Sequence, residues 1–265
     1  MAHIELRDVS LEYMTLSGVT HAISNLSLKV EKGQFVGIVG PSGSGKSTLL
    51  SLIAGMLKPT SGQVLIDGKE VTGSTAQVGY MLQQDYLFDW RTIERNCRLG
   101  LELTRQCSQT SVQAVADMLQ GYGLGGFRQR FPSQLSGGMR QRAALIRTLA
   151  TNPSVLLLDE PFSALDYQTR LTMQDEVEGI LKKAGKTVLL VTHDIPEAVA
   201  MCDRVIVLTK RPGRIKADIY IELDDAHLTP MQSRRSPAFG RFFNRIWEEL
   251  DVHVQPVDSV AQQDH

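Results

Sequence analysis

With 265 residues, 42% of them hydrophobic and 22% charged, the chain is long enough to bury a core and excludes both a disordered segment and a disulfide-stapled miniprotein. Lys and Arg number 28 against 29 Asp and Glu, a net charge of -1, so no global positive field draws the chain to nucleic acid or anionic lipid, and no nucleic-acid partner is expected. The longest apolar runs, 155–158 and 187–191, are strand-sized, well short of the roughly 20 residues of a spanning helix, so the chain is expected not to cross a membrane. Residues 1–8 carry neither a basic leader nor an apolar signal core, and no export is expected. Cys97, Cys107 and Cys202 are odd in number, fit no metal spacing and suit a reducing compartment as buried or idle thiols.

In chain order, Ile4, Leu6 and Val9, then Leu26, Leu28 and Val30, predict alternating β segments around a polar turn, an antiparallel subsheet. Further β segments are predicted at 34–39, 64–66, 78–82, 154–159, 187–192 and 205–208, several apolar on both faces as in a covered parallel sheet. Helical patterns lie between them, an α/β arrangement. From about 89 to 131 strand signals vanish, and Val112, Val115, Ala116 and Leu119 recur at helical spacing, predicting a helical insertion. After about residue 224 the chain turns polar until Ser236 and Pro237, a cap and first-turn pair that predicts a closing amphipathic helix over 237–250. Its apolar stripe is Phe239, Phe242, Phe243, Ile246, Trp247 and Leu250; mixed charge on the other face favours packing on its own domain over a lipid surface. Residues 255–265 read as a frayed end.

Gly40, Pro41, Ser42, Gly43, Ser44, Gly45, Lys46, Ser47 and Thr48 follow one predicted strand and open a helix, the context that G-x-x-x-x-G-K-[ST] requires of a nucleotide phosphate loop. Gly43 and Gly45 let backbone N–H groups curl around phosphates at the positive end of a helix dipole. Lys46 reaches the β and γ phosphates, and the Ser47 hydroxyl is offered to Mg²⁺. Residues 155–158 deliver Asp159 and Glu160 to the carboxyl end of a strand, where open α/β sheets place ligands. Asp159 is placed for the Mg²⁺ shell, and Glu160 to orient or deprotonate an attacking water. Gln83 and His193 also follow strands and can reach a γ phosphate, although each alone is weak evidence. Ser136, Gly137 and Gly138 open a further helix; the residues alone leave open an ordinary capped start or a second anion site.

These motifs in this order resemble the ATP-binding subunit of an ATP-binding cassette (ABC) transporter over about residues 4–223. Residues 40–48 match its Walker A loop, Gln83 its Q-loop, 135–141 its signature motif, 156–160 its Walker B strand, 163–166 its D-loop and His193 its switch histidine. Met139 departs from the commonest signature, which has glutamine there. The resemblance implies a RecA-like phosphate-loop NTPase core with an antiparallel β subsheet and a helical subdomain of about 89–150, followed by an extension of 224–265. It implies Glu160, His193, Gln83 and Lys46 as catalytic residues and Ser47, Gln83 and Asp159 toward Mg²⁺. ATP would be bound by residues 40–48, by Tyr13 stacked on adenine, and by Ser136, Gly137, Gly138 and Asp166. Two copies would close head to tail on two ATP.

With no membrane helices of its own, the chain resembles a separate importer subunit at the cytoplasmic face of the cell membrane. Its permease would dock near Gln83, Tyr86, Leu87, Phe88 and Trp90, and a solute-binding protein would act through that permease. Residues 83–91, the Met-containing signature and 236–239 with Ile246 and Trp247 are similar to the nitrate, sulfonate and taurine class, which includes carriers of thiamine pyrimidine precursors. A phosphate-loop kinase or a non-transport ABC ATPase is the alternative.

Overall fold

The computed structural model describes residues 2–15, 18–223 and 228–250. In chain order the elements are β1 (Ala2–Thr15), β2 (Gly18–Glu31), β3 (Phe35–Val39), α1 (Lys46–Ile53), β4 (Ser61–Ile66), β5 (Lys69–Glu70) and β6 (Val78–Met81). Then come α2 (Ile93–Cys97), α3 (Leu99–Leu103), α4 (Gln109–Gly121), α5 (Gly137–Leu149), β7 (Val155–Asp159), α6 (Tyr167–Lys183), β8 (Thr187–Val191) and α7 (Ile195–Met201). The chain continues through β9 (Arg204–Leu208), β10 (Ile215–Tyr220), α8 (Pro230–Ser233) and α9 (Phe239–Glu249).

The strands form an antiparallel four-stranded sheet, β2-β1-β4-β5, and a six-stranded sheet, β10-β9-β3-β8-β7-β6. In the larger sheet all neighbours are parallel except the edge strand β10. The fully apolar strands are explained by the two-residue period of a strand between two cores. Leu156, Leu158, Val188, Leu190, Val205 and Val207 face a core shared with α2 and α4–α7. Their neighbours Val155, Leu157, Leu189, Val191, Ile206 and Leu208 face a second core, closed by α1 and the antiparallel sheet. β10 lies outside the strands predicted from sequence: it alternates exposed Lys216, Asp218 and Tyr220 with more buried Ile215, Ala217 and Ile219, so it carries no continuous apolar run.

Residues 89–150 hold only helices and turns, as the spacing of Val115, Ala116 and Leu119 predicts, and those three side chains are buried. The closing helix corrects its predicted start. Ser236 and Pro237 stand in a turn, where the Ser236 hydroxyl accepts from the Ala238 N–H at 3.1 Å, and the helix begins at Phe239. Of the predicted stripe only Phe242 and Ile246 are buried; they join the core that Ala198, Val199 and Ile219 share, so α9 packs on its own chain. Phe243 and Trp247 stack on each other, with centroids 5.9 Å apart. Cys97 and Cys202 are buried and burial pushes both thiols up, Cys97 to about 12, whereas Cys107 is exposed; all three are free. Among the described residues no helix is long and apolar enough to cross a membrane. The segment 255–265 lies outside the described residues.

Candidate functional site

Parallel register gathers the site. Val191 pairs with Ile38 on one side and Asp159 on the other, so β3, β8 and β7 end on one edge, and β6 ends beside them. From these ends emerge the phosphate loop, His193, Asp159 with Glu160, and Gln83. This is the carboxyl edge at which open α/β sheets hold ligands.

A cleft of about 280 Å³ opens there, lined by Tyr13, Ala22, Ser42, Gly43, Gly45, Lys46, Ser47, Thr48, Gln83, Glu160 and Arg211. The phosphate loop needs its glycines. Gly45 caps α1 at φ 93°, in the left-handed region, and a Cβ there would stand 3.1 Å from the Ala22 carbonyl oxygen. A Cβ on Gly40 would lie 2.8 Å from Ser44 Oγ, so Ser44 is buried behind the loop rather than turned into the cleft. Lys46 Nζ donates to the carbonyls of Gly40 at 2.8 Å and Pro41 at 3.0 Å, which wraps the loop around the ammonium. Burial holds the Lys46 ammonium below its ordinary value, against the pull of Glu160 and Asp159.

Asp159 is buried at the end of β7, and burial raises its carboxyl above the usual range, opposed by a hydrogen bond from Ser47 and by the Lys46 charge. Tyr80, which the sequence reading missed, lies between them: its hydroxyl donates to the Ser47 carbonyl at 3.4 Å, and burial pushes it up to about 12. A desolvated carboxylate beside a serine hydroxyl is a hard oxygen donor pair that suits Mg²⁺ once phosphate oxygens and water complete the shell. Among the described residues no group of three or more His, Cys, Asp and Glu side chains could hold a metal by itself.

Glu160 is held from both sides. Gln83 Nε2 donates to its Oε2 at 3.0 Å, and His193 Nδ1 stands 3.1 Å from its Oε1. Its backbone is strained into the left-handed region at φ 48°, held by its N–H on the Val191 carbonyl at 2.9 Å and by Ser163 Oγ donating to its carbonyl at 3.0 Å. The His193 loop has its own anchors. Thr192 Oγ1 accepts from the Asp194 N–H and donates to buried Glu197, which also accepts from Gln174 Nε2 at 3.1 Å. Gln174 in turn accepts from Arg234 at 2.8 Å, a tie to α8 that no local motif announces.

Ser136, Gly137, Gly138 and Asp166 do not line the cleft. Ser136 caps α5, accepting from the Met139 N–H at 3.4 Å, and a Cβ on Gly138 would lie 2.6 Å from Leu165. Asp166 caps α6, and its bonds from Thr169 hold its carboxyl below the usual range. Arginines of α5 hold the Gln83 loop: Arg140 Nε meets Asp85 Oδ2 at 3.0 Å, and Arg147 donates to the Tyr86 carbonyl at 2.8 Å. On that loop Tyr86 and Trp90 are exposed, and Phe88 stacks on Trp90 at 4.7 Å. Leu87 corrects the sequence reading, which placed it on a contact surface: it is buried in the core with Ile93 and Cys97.

A phosphate loop, a strand-end carboxylate pair and a helical insertion that carries a serine-glycine helix start define a phosphate-loop ATPase of the cassette kind. The ABC transporter family model matches residues 23–163, and the chain belongs to that family as an ATP-binding subunit. An uncharacterized ABC transporter ATP-binding protein of Bacillus subtilis, YtlC, is 45% identical over 95% of this chain and 96% of its own. The nitrate import ATP-binding protein NrtD of Synechocystis is 41% identical, covering 92% of this chain and 93% of its own. Taurine and aliphatic sulfonate import ATP-binding proteins are among the further relatives, so the class is the nitrate, sulfonate and taurine one. A solved ATP-binding cassette, MJ0796, dimeric and bound to ADP and Pi, superposes with a TM-score of 0.75 at 32% identity, covering 83% of this chain and 99% of that one. The chain binds ATP and hydrolyses it in support of transport. These relatives leave no room for the kinase alternative.

Proposed function

We propose that two copies of this chain close head to tail on two ATP and drive a separate membrane permease from the cytoplasmic face of the cell membrane. The observation that carries this is the split of the motifs. Lys46, Ser47, Gln83 and Glu160 line one cleft, with Asp159 buried beside Ser47, while Ser136, Gly137 and Gly138 stand outside it on a helix start able to receive a phosphate from a second copy. The dimeric state of MJ0796 is in keeping with it.

In this reading residues 40–48 cradle the phosphates, Lys46 neutralises them, and Tyr13 stacks on adenine. Ser47, Asp159 and Gln83 would hold Mg²⁺, whose charge would offset that of the phosphate oxygens. Glu160 accepts the proton of the attacking water, and His193 with Gln83 keeps its carboxylate turned toward the γ phosphate. Asp166, which caps α6, joins Ser136, Gly137 and Gly138 as a nucleotide contact offered by the second copy. Tyr86, Phe88 and Trp90 receive the permease, and a solute-binding protein delivers cargo to that permease. Residues 1–223 form the cassette, and 224–265 the extension. Cargo of the nitrate, sulfonate or taurine type, or a thiamine pyrimidine precursor, is in keeping with the class of the relatives. The experiment is light scattering of the Glu160→Gln protein with and without ATP: an ATP-dependent dimer supports the reading, and a monomer at saturating ATP overturns it.

A further inference from the structure

Arg211 belongs to none of the sequence motifs, yet it lines the nucleotide cleft with Lys46, Ser47 and Tyr13. It stands on the turn between β9 and β10, and that turn lies directly on the phosphate loop. A Cβ on Gly213 would come within 2.1 Å of the Ser44 carbonyl oxygen, so only glycine fits there. The same residue ties the turn to β2: the Gly213 N–H donates to the Ala22 carbonyl at 2.9 Å, and the Ser24 N–H donates to the Gly213 carbonyl at 3.1 Å. Thr209 closes the turn, its hydroxyl donating to the Pro212 carbonyl at 2.9 Å and its N–H to the Arg214 carbonyl at 2.9 Å. Arg214 adds a bond to Ser24 Oγ at 3.2 Å.

The turn is therefore built without the Arg211 side chain. Among the described residues the guanidinium makes one hydrogen bond, from Nε to the Gly43 carbonyl at 3.3 Å, and no carboxylate stands within ion-pair distance. An arginine has five N–H donors in a fixed fork that matches phosphate. One of them anchors the fork at the loop, beside Gly43, whose added Cβ would lie 3.6 Å from a terminal Arg211 nitrogen. The Lys46 ammonium, by contrast, already has two loop carbonyls as partners.

We propose that Arg211 is a nucleotide-binding residue that donates to the polyphosphate of ATP and ADP, fastened in place by the turn of residues 209–214. The inference rests on ATP binding and extends it to a residue outside the family motifs. A preorganised guanidinium loses little freedom when it meets the phosphate, so its removal is expected to be felt in affinity.

The test is calorimetric or fluorescence titration of ATP, ADP and adenosine against the wild-type chain, Arg211→Ala and Arg211→Lys, with thermal midpoints as a check on folding. Arg211→Ala is expected to weaken ATP and ADP about tenfold and to leave adenosine within about twofold, and Arg211→Lys to recover part of the loss. Arg211→Gln serves in its place if the alanine variant does not fold. ATP and ADP affinities within about twofold of wild type, or an equal loss for adenosine, overturn the proposal. The wild-type titration separates either result from a failure of ATP binding itself.

Discussion

His193 Nδ1 stands 3.1 Å from Glu160 Oε1, a meeting of two loops brought together by the pairing of β7 with β8. With Gln83 on the other carboxylate oxygen at 3.0 Å, the Glu160 side chain has one orientation, and its strained backbone adds to that. Glu160→Gln keeps the shape and removes the base. Turnover is expected to fall about 10²-fold or more while ATP is still bound. ATPase rates close to wild type would remove Glu160 from the chemistry.

If His193 acts by holding Glu160, the two substitutions must not add. His193→Ala should lower the turnover number by one to two orders of magnitude, and the double variant His193→Ala with Glu160→Gln should be about as slow as Glu160→Gln alone. Steady-state ATPase assays of the four proteins decide this. Fully multiplicative losses would mean that the two residues act independently.

The helix start at Ser136 is capped and stands away from the cleft of its own chain. Ser136→Arg places a large cation where a second copy would present its ATP. Hydrolysis is expected to be lost, whereas the isolated chain titrates with ATP as wild type does. Normal turnover in this variant would refute the shared site.

Glu197 is buried behind the His193 loop, and burial raises its carboxyl from 4.5 to about 7, with hydrogen bonds from Thr192 and Gln174 opposing the shift and Asp194 adding to it. Arg170 also faces it and lowers it. The folded chain thus keeps a proton that the unfolded chain releases, so stability falls as pH rises through the window from about 4.5 to about 7 and is level above it. The full change is on the order of 3 kcal/mol. Urea unfolding midpoints between pH 5 and pH 8 should decline in wild type and much less in Glu197→Gln; equal slopes would exclude Glu197 as the source.

Half-buried Phe88 stacks on exposed Trp90, and neither belongs to the core that holds Leu87. Phe88→Asp is expected to abolish co-purification with a permease while ATP affinity stays within about twofold of wild type. Leu87→Asp should instead lower the thermal midpoint, because it buries a charge. Unchanged assembly in Phe88→Asp would move the docking surface elsewhere.

Much of the cleft is legible in the sequence, because phosphate binding leaves a local mark. Glycines at fixed spacing, a lysine and a serine at the head of a helix are all demanded by the same few ångströms of backbone around Gly43 and Gly45. The strand that ends in Asp159 and Glu160 was legible for a similar reason, since a strand covered on both faces has to be apolar throughout.

Arg211, Tyr80 and the tie from Glu197 through Gln174 to Arg234 left no such mark. Each depends on which strand lies beside which, and no residue type in its own segment requires the partner. The same holds for Leu87, which is buried between exposed Tyr86 and half-buried Phe88, and for the closing helix, whose start was set by a turn at Ser236 rather than by the capping pattern.

The sequence by itself determined the chemistry available: a phosphate loop, a strand-end carboxylate pair, a histidine and a second helix start, each written in a short contiguous segment. Only the tertiary structure decided which of these share a cleft. Parallel register brings the ends of β3, β8, β7 and β6 to one edge and leaves Ser136, Gly137 and Gly138 outside the cleft that opens there. Local hydrogen bonding and sterics act within a few residues and so can be read along the chain. The order of strands is set by packing two cores against one sheet, and it appears only when the whole chain has folded.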